Sequence, residues 1–175
     1  MNGGGGRRWF DMVQPEAFDS QALRGALGRF ATGVTIITCL DGSGARVGLT
    51  ANSFNALSLQ PPLVLWSLRL ASPSLVAFSA ATHFAVNVLA ETQVDLSRRF
   101  ASKVADKFEE GVWHAGLGGV PVLGGCAAVF ECELQAQHEA GDHQLFIGRV
   151  RRLADLAVPP LLFQGGHYRM LGEIL

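Results

Sequence analysis

Short apolar runs broken by turn residues dominate this chain, and helical periodicity is confined to a few segments. Between residues 15 and 32, Leu23, Leu27, Phe30 and Ala31 recur at helical spacing. Pro15 opens that segment, Asp19 or Ser20 can cap it, and Gly33 ends it. VTIITCL, residues 34–40, is rich in β-branched side chains and predicts a strand. DGSGAR, residues 41–46, predicts a turn, and residues 47–54 the returning strand. Pro61 and Pro62 precede a third strand at residues 63–68. Ser72-Pro73-Ser74 has the chemistry of a helix start. Residues 83–89 form another strand, and Thr92 can cap a helix that turns Val94, Leu96 and Phe100 inward.

The second half is more broken. KVADKFEEG has room for one helical turn, and GLGGVPVLGG predicts loop and short strand. Residues 126–138 alternate, with Phe130, Cys132, Leu134 and Ala136 on one face and Glu131, Glu133, Gln135 and Gln137 on the other. Gly141-Asp142 makes a turn, residues 144–153 return, and residues 157–163 lead through Gly165-Gly166 to a last segment at 167–171. Many short strands with few helices predict a mainly β protein, a small β-barrel with peripheral helices. Regular βαβ alternation is absent, which argues against a doubly wound fold.

A chain of 175 residues suits one domain with a sizeable core. Residues 15–175 form that domain, and residues 1–14, with GGGG followed by Arg7 and Arg8, are expected to be a disordered tail. Only 17% of residues are charged against 49% hydrophobic, which points to apolar surface buried against a second subunit. A net charge of −1 gives no reason to expect nucleic acid or an anionic membrane as partner. No apolar run is long enough to span a bilayer. Cys39, Cys126 and Cys132 form no CxxC pair and are expected to be buried free thiols, which places the protein in the cytoplasm.

Chemistry concentrates in residues 48–74, GLTANSFNALSLQPPLVLWSLRLASPS. Small hydroxyl and amide side chains crowd an otherwise apolar stretch, the make-up of a wall for a flat amphipathic ligand. Each taken alone also reads as a cap or a satisfied strand end. A P-loop and GxSxG are absent, and GxGxxG fails because Pro121 stands where its last Gly belongs. His138 and His143 flank a turn without a third nearby His, so no metal is expected. Phe130, Phe146 and Phe163 sit in strands and are expected to pack in the core.

Six segments in order resemble the short-chain flavin reductase family, the reductase components of two-component flavin-dependent monooxygenases. They are FDSQALRGALGRFATGVTIIT (18–38), GLTANSFNALSLQPPLVLWSL (48–68), HFAVNVLAETQVDLSRRFAS (83–102), DKF (106–108), GDHQLFIGRV (141–150) and PLLFQGGHYR (160–169). The resemblance implies a split β-barrel homodimer that binds FMN or FAD and takes hydride from NADH or NADPH. It implies a separate monooxygenase as partner. A flavin carrier or sensor on the same barrel, or a reductase that keeps its flavin, remain the alternatives.

Carried over by position, the resemblance puts Val47, Gly48, Leu49, Thr50, Asn52 and Ser53 along the flavin. Ser67, Leu68, Ala71, Ser72 and Ser74 would wrap its ribityl and phosphate end, with Ala101, Ser102 and Lys107 beside them. His143 matches the residue beside the nicotinamide and is the catalytic candidate, and Gln164, Gly165, Gly166 and His167 match a dinucleotide contact. Ser72 and Ser74 at a helix start suit a phosphate, and Gly48 and Gly165 suit close approach of a ring or pyrophosphate. The bulky run Trp66-Ser67-Leu68-Arg69 departs from the family pattern and is expected to alter flavin affinity or choice.

Overall fold

The computed structural model describes residues 19–174. The expected tail, Pro15 and Leu175 lie outside the described residues. Helix α1 (Ser20–Leu27) is capped by Asp19, whose carboxylate accepts the N–H groups of Gln21 and Ala22 at 2.9 Å. It stops at Gly28, short of the expected Gly33, and buries none of its residues. Leu27 and Phe30 stay 64% and 73% exposed.

There follow β1 (Thr32–Gly33), β2 (Thr35–Leu40), β3 (Arg46–Ala51), β4 (Asn55–Leu59), β5 (Pro62–Arg69), α2 (Leu75–Ala80), β6 (His83–Val88) and α3 (Val94–Ala101). Then come β7 (Trp113–Ala115), β8 (Pro121–Leu123), β9 (Ala128–Ala140), β10 (His143–Asp155), β11 (Leu162–Gln164) and β12 (His167–Arg169). The mainly β expectation holds. Sequence patterning missed β4, which is exposed along most of its length and carries no alternation, and β7, only three residues long.

Seven strands form one antiparallel sheet in the order β3-β2-β6-β9-β10-β5-β4. Its two edges, β3 and β4, are joined by residues 52–54 alone. Laid flat, seven strands at about 4.8 Å spacing put their edges roughly 29 Å apart. Four Cα steps reach about 15 Å at most. The sheet therefore curls until its edges approach each other at this end. Ala51 is paired with Thr35 on β2, while Ser53 already bonds to β5. The Ser53 hydroxyl donates to the Ser67 carbonyl and accepts the Ser67 N–H, both at 3.0 Å. It thus extends the β4–β5 register with a side chain in place of a ladder bond.

The curl gives each buried strand two covered faces. In β2, Ile37 and Cys39 face the inner core and Ile36 a second cluster under α3, so the unbroken β-branched run is buried on both sides. The inner core is aromatic. Trp66 stacks on Phe146 at 4.6 Å between centroids, and Phe78 meets Trp66 edge-on at 4.9 Å. Phe130 packs on Phe54 and Phe163 on Tyr168, as strand placement implied. The three cysteines are buried free thiols whose pKa values burial pushes up to about 12. Glu131, expected on the solvated face, is buried. Its carboxylate accepts the Leu117 N–H and lies 3.4 Å from Arg152.

Gly148 on β10 marks the tightest point of this core. A Cβ there would lie 2.3 Å from Phe84 Cζ and 2.9 Å from Cys132 Cβ, and neither can swing away from a packed centre. Gly148→Ala should cost about 1–3 kcal/mol of stability. Urea unfolding followed by fluorescence checks this, and a midpoint equal to wild type would show that the core has room to give.

Candidate functional site

Where the sheet edges meet, the chain leaves a groove of about 540 Å³. Its walls are Leu49 and Thr50 from β3, Asn52 and Ser53 from the β3–β4 link, Ser67 and Leu68 from β5, and Ala71, Ser72 and Ser74 from the turn before α2. Ala101 and Ser102 from the end of α3, Lys107, and His143 at the start of β10 complete them. An adjoining lobe takes in Val47, Gly48 and residues 102–108, and shares Ser74, Ser102 and Lys107 with the groove. Five stretches far apart in sequence meet here because the 52–54 link draws β3 towards β5.

Most of the polar side chains have a partner within the fold. Thr50 Oγ1 donates to the Ser97 carbonyl of α3 at 2.6 Å, and Ser53 clasps β5 as described. Ser72 Oγ accepts the Ser74 N–H at 3.3 Å. Ser102 Oγ donates to the Arg99 carbonyl at 2.8 Å and accepts the Val104 N–H. Lys107 Nζ donates to the Phe100 carbonyl at 2.8 Å, and partial burial lowers its pKa. That bond answers a free carbonyl at the C-terminal end of α3, where a cation belongs. Among the described residues the Asn52 amide, exposed at the groove, has no hydrogen-bond partner, and neither do the Ser67 and Ser74 hydroxyls or the Arg69 and Lys103 side chains.

Charge in the groove has one sign. Arg69, Lys103 and Lys107 line it, and among the described residues no carboxylate does. Sequence patterning gave Lys103 no role, took Arg69 only as part of a bulky run and Phe100 only as an inward helix residue, because a single basic or aromatic side chain carries no spacing signal of its own. It also missed Arg99, which holds the Lys107 loop. Its guanidinium donates to the carbonyls of Asp106 and Lys107 and pairs with Glu109 and Glu110. His143 sits at the mouth with its Nδ1 2.7 Å from Asp142 Oδ1. That hydrogen bond, and the charge His143 can carry, hold the Asp142 carboxyl below the usual carboxylate range.

Gln164, Gly165, Gly166 and His167 do not join the groove. They line a separate cavity against α1. Cross-strand pairs share a face, so Gln164–His167 and Leu162–Arg169 face one way and Phe163–Tyr168 the other. The Phe163–Tyr168 face adjoins the groove, lining a recess of 170 Å³ with Thr50, Asn52, Ser97 and Ala101. Tyr168 Oη lies 2.9 Å from the buried Ser97 Oγ and ties this hairpin to α3.

Two further readings change. The ring against Gly48 is the chain's own Phe100, whose Cε1 would stand 2.6 Å from an added Cβ. Gly165 and Gly166, at φ +57° and +83°, are set by a two-residue hairpin turn. Trp66 points into the core and is fully buried, so of the bulky run only Ser67, Leu68 and Arg69 line the groove.

Residues 27–172 match the model of the flavin reductase like domain. The chain is 45% identical over 153 residues to the "Probable flavin reductase" of Rhizobium meliloti, spanning 87% of this chain and 49% of that protein, so it covers about half the length of that relative. It is 45% identical to the FMN reductase (NADH) of Agrobacterium fabrum, covering 88% of this chain and 87% of that one. Among solved structures, the Streptomyces globisporus NADH:FAD oxidoreductase in complex with NAD and FAD fragments superposes with a TM-score of 0.84. It is 36% identical and covers 93% of this chain and 97% of that chain.

The Asp142–His143 pair makes a direct test of the mouth geometry. The Asp142 carboxyl, followed by carbon NMR, should titrate below the ordinary carboxylate range and move back up in His143→Ala. A titration indifferent to His143 would mean that the pair does not form in solution.

Proposed function

Because the chain belongs to the flavin reductase like domain family, we propose that it is an NAD(P)H:flavin oxidoreductase that supplies reduced FMN or FAD to a separate monooxygenase. The single observation that carries this reading is the groove itself. It is apolar and hydroxyl-lined along its walls, cationic at Arg69, Lys103 and Lys107, and, among the described residues, free of carboxylates. Those features fit an amphipathic ring that carries a phosphate. The exposed Asn52 amide is a donor and acceptor with nothing in the fold to satisfy it.

The flavin, when bound, supplies the hydride acceptor, so the protein needs no nucleophile of its own. The tasks of the chain are to bind, to orient and to exclude water. Val47 to Ser53 form one wall, and Asn52 is free to bond the polar edge of the ring. Ser72, Ser74, Ala101, Ser102 and the three cations hold the phosphate end. His143, braced by Asp142, stands at the open mouth, where it orients the nicotinamide or holds a proton at its ring nitrogen. Gln164, Gly165, Gly166 and His167 take the far half of the dinucleotide.

The curled seven-stranded sheet is the body of a split β-barrel, and a second copy completes it as a homodimer. The exposed Leu27, Phe30, Leu59 and Leu153 are apolar surface for such an interface. Residues 15–175 form the one domain. The protein works in the cytoplasm, and no helix among the described residues is long and apolar enough to cross a membrane.

Steady-state oxidation of NADH and NADPH with added FMN or FAD is the test. Flavin-dependent turnover above the free-flavin background is expected. Its absence with every pairing would leave a carrier in place of a reductase. Ser72→Asp puts a carboxylate at the phosphate end and should weaken flavin binding by roughly tenfold or more, whereas Ser58→Asp, outside the groove, should not. Equal flavin affinities in the two folded variants would remove Ser72 from the site.

A further inference from the structure

Three arginines, two at the end of α1 and one near the C-terminal end of the chain, line one cavity. Arg24 lies in the last turn of α1, Arg29 just beyond it, and Arg169 on β12. With Gln164 and His167 they line a cavity of 650 Å³ between α1 and the β11–β12 hairpin. Backbone contact fixes its floor. The Gly165 N–H donates to the Gly28 carbonyl at 2.8 Å, and an added Cβ on Gly28 would lie 3.4 Å from Gly165 Cα.

No carboxylate among the described residues lines this cavity. Among the described residues, Arg98, Arg99, Arg151 and Arg152 each have a carboxylate partner, whereas Arg24, Arg29 and Arg169, like Arg46, Arg69 and Arg149, have none. Like charges gathered in one concavity repel each other, and an anion placed among them removes that cost. The C-terminal end of α1 would by itself oppose an anion. Here the Arg24 and Gly28 carbonyls already accept the N–H groups of Gly28 and Gly165, which blunts that opposition.

We infer that this cavity binds a phosphomonoester dianion and, resting on the reductase reading above, that the occupant is the 2′-phosphate of NADPH, which the chain takes in preference to NADH. Guanidinium forks match a phosphate dianion with paired, charge-assisted hydrogen bonds. The cavity and the groove lie on opposite faces of one hairpin whose strands are three residues long, about 10 Å. At its tip Gly165 and Gly166 present no side chain, and added Cβ atoms there would meet nothing within 4 Å. A dinucleotide that crosses this tip reaches both faces.

Calorimetry on the whole chain without flavin, using adenosine 2′,5′-bisphosphate and 5′-AMP as probes, tests the inference. The bisphosphate should bind at least about tenfold more tightly than 5′-AMP, and the double variant Arg24→Gln/Arg169→Gln should erase the difference. In the same variant the ratio of kcat/KM for NADPH to that for NADH should fall by about tenfold. Equal affinity for the two probes, or a bisphosphate preference that survives in the double variant, overturns the proposal. Circular dichroism confirms the fold of the variant, and Arg29→Gln gives the same reading if the double variant is unfolded. Lack of turnover with any flavin would refute the reductase reading alone, because calorimetry decides the cavity without it.

Discussion

The three-residue link between β3 and β4 is the constraint on which the rest depends. A seven-stranded sheet with its edges joined so tightly cannot stay flat. Curling encloses Trp66, Phe78, Phe84 and Phe146 in an aromatic core. It also leaves a concavity where the edges come together. The Ser53–Ser67 clasp sits at that junction and holds it with two hydrogen bonds from one hydroxyl. Core and groove are thus two consequences of the same connection.

The groove residues serve the fold and the site at once. Thr50 fixes α3 through the Ser97 carbonyl, Ser102 closes the same helix, and Lys107 bonds the carbonyl of Phe100. A hydroxyl that donates one hydrogen bond keeps lone pairs for a ligand, and an ammonium keeps two donors. Structural bonding therefore pre-orders these groups without exhausting them, which lowers the cost of ordering them when a ligand arrives. Among the described residues the Asn52 amide and the Ser67 and Ser74 hydroxyls spend nothing on the fold. Arg99 works one layer back and fixes the loop that presents Lys107.

Much of this was legible in the sequence, for physical reasons. The β-branched run of β2, the DGSGAR turn and the alternating β9 follow from local rules, and so do the Asp19 cap and the burial of the cysteines. The family resemblance gathered thirteen positions, from Leu49 to His143, that the fold does bring to one groove. What stayed hidden depends on contacts between distant segments. Gly48 is glycine because Phe100, 52 positions later, lies against it. Strand β4 is held by its partner β5 and shows little pattern of its own. The separation of Gln164–His167 from the groove follows from the β11–β12 register, which a three-residue strand does not announce.

The central claim is that the groove holds the flavin while His143, at its mouth, serves the nicotinamide. Stopped-flow reduction of the flavin-loaded protein by NADH, compared between wild type and His143→Ala, tests it most directly. The account predicts unchanged flavin affinity and a reduction rate lowered on the order of 100-fold, the cost of about 1 Å of misplacement. Reduction at the wild-type rate, or a variant that no longer binds flavin, would contradict it.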